Sequence, residues 1–165
     1  MKLNPRVCEE AAKLPGFQKT HPLASSEMVK GNLFLIQDLI KELCTLCHMD
    51  QGTLAPNAGA QGEFCGIKMI QAYHQDQGHK EKDEVLVPDS AHGTNPATAR
   101  LCGYKTITIR SDPQTGDIDI NHLEEMLSER TAAFMLTNPN TLGLFSPQIL
   151  KITALVHQHG GLRYY

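Results

Sequence analysis

Apolar side chains recur at helical spacing over Leu33, Ile36, Leu39, Ile40, Leu43 and Cys47. This pattern predicts a long helix capped by Ser25 or Ser26, with Glu27 near its positive end. His48 to Gln51 would close it, and Gly52 supplies the break. Before it, residues 1–24 carry Pro5, Pro15, Gly16 and Pro22 and read as irregular. A glycine-rich turn, Pro56 to Glu63, opens a second helix with Phe64, Ile67, Ile70 and Tyr73 on one face. The polar stretch from Gln75 to Asp83 reads as a solvated loop.

Beyond it the period changes. Val85-Leu86-Val87 is a short apolar strand ended by Pro88, and a helix over 94–102 is expected to start at Pro96. Thr106 to Ile109 is a second strand, followed by a turn over Asp112 to Gly116. Asn121 is the expected cap of a helix carrying Leu123, Met126 and Leu127, with Glu124 completing a capping box. Ala132 to Thr137 is a third strand. Ser146-Pro147 reads as a cap and first helical residue ahead of Ile149, Ile152, Leu155 and Val156. Gly160-Gly161 ends that helix, and Leu162 to Tyr165 begins a fourth strand. Strands alternating with helices, several of them continuous apolar runs, predict an α/β fold with a mostly parallel sheet covered on both faces. Ligands in such sheets sit at the carboxyl ends of strands. The segments after Val87 and after Leu136 lie at such ends.

Composition narrows the class. Hydrophobic residues make up 41% and charged residues 20%, which suits a globular chain rather than a disordered one. A formal net charge of -3 supplies no basic field for nucleic acid. No apolar run approaches the roughly 18 residues of a membrane span, and the N-terminus lacks a secretory pattern. The expected compartment is the cytosol. Five cysteines, an odd number, read as free thiols. Cys44-Thr45-Leu46-Cys47-His48 matches a haem-attachment spacing, but it continues the stripe of the first long helix and reads as packing thiols. His157 and His159 are two apart and cannot share a helix face, so they read as charge near a helix C-terminus, and no metal site is expected. His74 and His79 flank the polar loop and read as surface residues.

Three segments carry candidate chemistry. The Gly59-Ala60-Gln61-Gly62 turn lets backbone approach a ligand, and the helix behind it points free N–H groups forward, as an anion site requires. A plain helix-start turn has the same spacing. Asp89 to Pro96 places His92 just past a strand, where an imidazole can stack, move protons or simply bond its own loop. Thr137 to Gly143 offers Asn140 and Thr141 as donors to a ligand oxygen, or as Asx-turn formers.

Together these segments resemble the glycine dehydrogenase (decarboxylating), or P-protein, family of the glycine cleavage system. The likeness rests on Pro56-Asn57-Ala58-Gly59-Ala60-Gln61-Gly62-Glu63, on Val87-Pro88-Asp89-Ser90-Ala91-His92-Gly93-Thr94-Asn95-Pro96, and on Leu136 through Phe145. Met1-Lys2-Leu3-Asn4-Pro5, Leu14-Pro15-Gly16-Phe17 and the Tyr164-Tyr165 pair fit as well. The Asn-Pro-Asn-Thr-Leu-Gly-Leu-Phe form and the double tyrosine look more like subunit 2 of the bacterial two-subunit type.

The resemblance implies a fold-type-I pyridoxal-phosphate enzyme, with residues 25–165 forming part of its large domain. It implies decarboxylation of glycine and transfer of the aminomethyl group to the lipoyl group of H-protein, with a P-protein subunit 1 as a further partner. Carried over residue by residue, the backbone at Gly59, Ala60 and Gln61 would bind the cofactor phosphate. His92 would stack on the ring, Asn140 or Thr141 would reach its hydroxyl, and Thr94 would lie near glycine. The family's pyridinium-pairing aspartate and Schiff-base lysine have no match in residues 1–165, so this chain is read as an internal fragment, and no decarboxylation is expected from it alone. Arg163 departs from the family, which has an apolar residue there. Two other readings stay open: a non-catalytic subunit-binding module or remnant, and another fold-type-I enzyme such as an aminotransferase.

Overall fold

The computed structural model describes residues 3–165, so Met1 and Lys2 of the Met1–Pro5 match lie outside the described residues. The chain divides into two compact units, Met1–Ala55 and Pro56–Tyr165. Among its described residues the first holds α1 (Arg6–Ala12), α2 (Pro15–Gln18) and α3 (Lys30–Cys47). Residues 3–24 are therefore not irregular throughout. Pro15 serves as the first residue of α2, where its missing N–H costs nothing.

The long helix α3 starts at Lys30, with Val29 rather than Ser25 or Ser26 at its N-cap. It ends where His48 adopts a left-handed backbone, φ 51°, as a closing residue often does. None of the described α3 residues is buried, and Cys47 is exposed. The packing-thiol reading of Cys47 therefore fails, whereas the free-thiol reading holds for all five cysteines.

The second unit contains α4 (Gly59–Asp76), β1 (Glu84–Pro88), α5 (Thr94–Leu101), β2 (Lys105–Ile109), α6 (Ile120–Met126), β3 (Thr131–Met135), α7 (Ile149–Gln158) and β4 (Leu162–Tyr164). The four strands form one parallel sheet in the order β2-β1-β3-β4. The period of two sorts their side chains to opposite faces. Val85, Val87, Ala133 and Met135 pack with Ile67 and Ile70 of α4 and Ala99 of α5. Leu86, Phe134 and Leu136 pack with Leu123 of α6 and Ile152 and Val156 of α7. Arg163 is exposed on β4.

Several local expectations change. The helix after Gly93 begins at Thr94, ahead of Pro96, which fits within the first turn because its missing N–H would be unbonded there. Asp119, not Asn121, caps α6: its carboxylate accepts the His122 N–H at 3.1 Å. Ser146 does not cap α7 either. Its hydroxyl donates to Asp117 at 2.8 Å, and α7 begins at Ile149. Phe64 and Tyr73 are exposed, which leaves Ile67 and Ile70 as the inner face of α4.

Gly66 shows why α4 needs a glycine in mid-helix. A Cβ there would stand 2.6 Å from the Tyr164 ring of β4. Gly66→Ala is expected to lose about 1–2 kcal/mol, since overpacking outweighs the gain of about 1 kcal/mol in helix propensity. Urea unfolding of the full chain measures it, and truncating Tyr164 in the same background should remove most of the penalty.

His74 overturns its surface assignment: it is 2% exposed, at the amino end of β3. Its Nε2–H donates to the Ala132 carbonyl at 2.8 Å, and its Nδ1 faces His79 Nδ1 at 3.4 Å. Burial pushes the His74 pKa down, outweighing the carbonyl bond that raises it, and Lys82 and His79 lower it further. The unfolded chain therefore binds a proton here more readily than the folded one, so stability is full above the usual imidazole range and falls as the pH drops through it. Urea midpoints should decline between about pH 7.5 and about pH 5, and His74→Gln should flatten that slope.

Candidate functional site

The strand order diverges between β1 and β3. From β1 the chain crosses through α5 to β2 on one side, and from β3 through α7 to β4 on the other. The loops leaving the carboxyl ends of β1 and β3 therefore part from each other, which opens the crevice where ligands bind in such sheets. Asp89 to Gly93 leaves β1 there, and Leu136 to Gly143 leaves β3.

Hydrogen bonds tie the three segments singled out from the sequence. On one side, the Thr94 hydroxyl donates to Glu63 Oε1 at 2.7 Å and the Thr98 hydroxyl to Glu63 Oε2 at 3.0 Å. Glu63 stands in the first turns of α4, so the glycine turn is fixed to the His92 segment. On the other side, the Thr141 hydroxyl donates to the Ser90 carbonyl, which joins the β1 and β3 loops. Asp89 anchors the β1 loop to β2, since its carboxylate accepts from the Ser111 N–H at 3.0 Å and from the Ser111 hydroxyl.

The turn itself is open. Ala58, at the N-cap of α4, makes no side-chain cap, so the first N–H groups of the helix lack the usual oxygen. The Gln61 side chain bends back to accept the Asn57 N–H at 2.6 Å. A Cβ built on Gly59 or Gly62 meets nothing within 4 Å, so space lies in front of this helix end.

His92 is exposed, and its Nδ1 lies 2.8 Å from the Thr94 hydroxyl oxygen. Asn140 is spent largely on its own loop. Its Oδ1 accepts the Leu142 and Leu144 N–H groups at 3.0 Å each, and its Nδ2 donates to the Gly116 carbonyl at 3.1 Å. Asn138 Nδ2, by contrast, is buried with no partner among the described residues. Burial, and then the Glu63 charge, push the Tyr164 phenol above its usual range.

Glu63 closes the glycine-rich turn in the sequence, where nothing local assigns it a role. The available signal was Thr94 and Thr98 one helical turn apart, a spacing that lets one carboxylate take both hydroxyls. Among the described residues of the second unit, Lys80 and Lys82 precede β1 and Lys105 opens β2, all at the amino ends of the strands, Lys105 pairing with Asp83 at 3.1 Å. Lys68 donates to Gln71 on exposed α4, and Lys151 pairs with Glu124 at 3.2 Å. No lysine among them reaches the crevice.

Comparison with known proteins bears on the fold and the family. The chain is 48% identical over all 165 residues to a protein of Staphylococcus aureus named "Probable glycine dehydrogenase (decarboxylating) subunit 2", of which it covers 34%. It thus spans about a third of the length of the curated relatives it matches. The crystal structure of the glycine decarboxylase P-protein of the glycine cleavage system, in inhibitor-bound form, superposes with a TM-score of 0.77 at 18% identity, over 96% of this chain and 34% of that one. A sphingosine-1-phosphate lyase of Burkholderia pseudomallei superposes with a TM-score of 0.66 at 15% identity, over 83% of this chain and 34% of that one. These likenesses establish the fold: a parallel sheet flanked by helices that is part of a fold-type-I pyridoxal-phosphate-dependent transferase domain. Residues 24–162 match the DegT/DnrJ/EryC1/StrS aminotransferase family, and the chain belongs to that family.

Proposed function

We propose that these residues form the cofactor wall of a glycine-decarboxylating enzyme, with pyridoxal phosphate at the carboxyl ends of β1 and β3. The carrying observation is the tie between the open N-terminus of α4 and the His92 loop through Glu63, at the point where the strand order diverges. The identity over all 165 residues to the S. aureus relative supports glycine as substrate.

The residues fit the group. The unbonded N–H groups of Gly59 and Ala60 suit a phosphate, with Gly59 and Gly62 leaving the approach free, whereas the Gln61 N–H at the same helix end donates to the Ala58 carbonyl at 3.0 Å. The exposed ring of His92 offers its face to the cofactor ring. Thr141 fixes the β3 loop beside it, and Asn140 retains one N–H for the ring hydroxyl. Thr94, bonded to Glu63 and beside His92, is the residue proposed to lie near glycine. When bound, the cofactor supplies an electron-accepting ring for the electron pair left as CO2 departs from the amino acid. The chain's own part is to hold the phosphate, orient the ring and keep the His92 imidazole in place. The covalent lysine anchor is not among the described residues of the second unit, which restricts these residues to binding and orientation.

The proposed partners are a P-protein subunit 1 and lipoylated H-protein, which takes the aminomethyl group. The proposed compartment is the cytoplasm; among the described residues no helix is long and apolar enough to cross a membrane. A second reading, an aminotransferase-like activity, is favoured by the name of the matching family. The full protein carrying these residues, supplied with pyridoxal phosphate, subunit 1 and H-protein, should release CO2 from glycine. Transfer of the amino group to an α-keto acid without CO2 release would favour the second reading instead.

A further inference from the structure

The carboxyl end of α4 sets two imidazoles side by side. Gln77 is its C-cap, and Gly78 follows with φ 76°, a left-handed backbone that glycine adopts without strain. The Gly78 N–H donates to the Gln75 carbonyl at 3.1 Å and the His79 N–H to the His74 carbonyl at 2.9 Å. These are the paired bonds of a Schellman closure, in which the residue after the glycine frequently packs on the one five before it as an apolar pair. Here both are histidines, and their Nδ1 atoms lie 3.4 Å apart. That is beyond the roughly 2.7–3.2 Å of N–H hydrogen bonds to oxygen. It matches the roughly 3.3–3.4 Å that separates two imidazole nitrogens on one tetrahedral zinc ion, each about 2.0–2.1 Å from the metal.

The surroundings suit such an ion. His74 Nε2–H donates to the Ala132 carbonyl at 2.8 Å, which leaves Nδ1 bare in the neutral ring. A ring N–H held on a backbone carbonyl is the usual support behind a metal-binding imidazole. Burial favours the neutral ring. His74 is buried and His79 exposed, and both line a cavity of about 300 Å³ at the amino ends of the strands, with room for an ion and its water. Among the described residues no third His, Cys, Asp or Glu joins them. Asp83, on the same wall, is taken by Arg130 at 2.7 Å and Lys105 at 3.1 Å. Lys82 repels a cation at His74 and Glu81 attracts one, so the two charges offset in part.

We propose that His74 Nδ1 and His79 Nδ1 form a two-histidine site for one divalent transition-metal ion such as zinc, with water completing its shell. With two protein ligands rather than the four of a structural zinc site, the ion exchanges with solution. The site lies at the opposite end of the sheet from the crevice and does not rest on the cofactor reading.

The experiment titrates zinc chloride into the full chain at about pH 7.5, above the usual imidazole range, while NMR follows the histidine ring signals. The His74 and His79 signals should move together along one saturating curve. Magnesium, which prefers oxygen ligands, should leave them in place. His79→Ala keeps the backbone N–H that closes α4, so the helix end stays formed. In that variant the zinc concentration that half-shifts the His74 signal should rise at least about tenfold, since losing even an outer partner of a metal site costs that much. Zinc uptake at the cysteines with both histidine signals unmoved overturns the proposal. So does a His74 response that is the same in His79→Ala as in the unaltered chain.

Discussion

Phe134→Ala is expected to cost about 3–5 kcal/mol of stability, the range for emptying a large aromatic site in a packed core. Phe134 is 1% exposed on the inner strand β3 and packs in the cluster that also holds Leu123 of α6 and Ile152 and Val156 of α7. Neighbours on a parallel sheet cannot close such a gap without shifting a strand. Because domains are stable by only about 5–15 kcal/mol, this one truncation removes a large share of the whole. Urea unfolding of the full chain reads the loss directly. Phe145→Ala makes the control, since Phe145 is 63% exposed and its removal should fall within about 0.5 kcal/mol of the parent.

The second large effect separates binding from folding. Gly59→Glu should leave the fold intact or raise its stability, while cutting pyridoxal phosphate affinity at least about tenfold. The new side chain meets no atom, and an acidic residue in the first turn of α4 gains about 0.3–1 kcal/mol from the helix dipole. The same charge repels a phosphate at that helix end, by about 1 kcal/mol per unit charge at 4 Å even in bulk water, and the phosphate carries more than one. A thermal melt and a cofactor titration on the same sample give opposite signs. A loss of both stability and binding would mean that the turn is structural.

Much of the fold was legible because the sheet is parallel and buried on both faces. Val85-Leu86-Val87 and Ala132 to Leu136 are apolar without interruption, which a half-exposed strand would not be. What stayed hidden was decided by contacts between distant residues. Ser146 beside Pro147 looks like a helix cap, yet its hydroxyl serves Asp117, 29 residues earlier. Asp119 and Asn121 are both capping residues by type, and the backbone chose the first. His74 sits among polar neighbours in sequence, but its partner carbonyl, Ala132, is 58 residues away.

The site divides in the same way. The Gly59 turn and His92 stood out because small residues and an imidazole fall at a helix start and a strand end. Glu63 did not, because its meaning lies in Thr94 and Thr98, which fold over it from 31 and 35 residues on. Asn140 stood out by residue type, and most of its hydrogen-bonding capacity proves to be committed to its own loop.

The most direct measurement is a fluorescence titration of the full chain with pyridoxal phosphate and, in parallel, with pyridoxal, which lacks the phosphate. A phosphate held at the N-terminus of α4 predicts binding at least about tenfold tighter for pyridoxal phosphate, with the difference lost in Gly59→Glu. Equal affinity for the two compounds, or a preference untouched by Gly59→Glu, would contradict the placement of the cofactor at this turn.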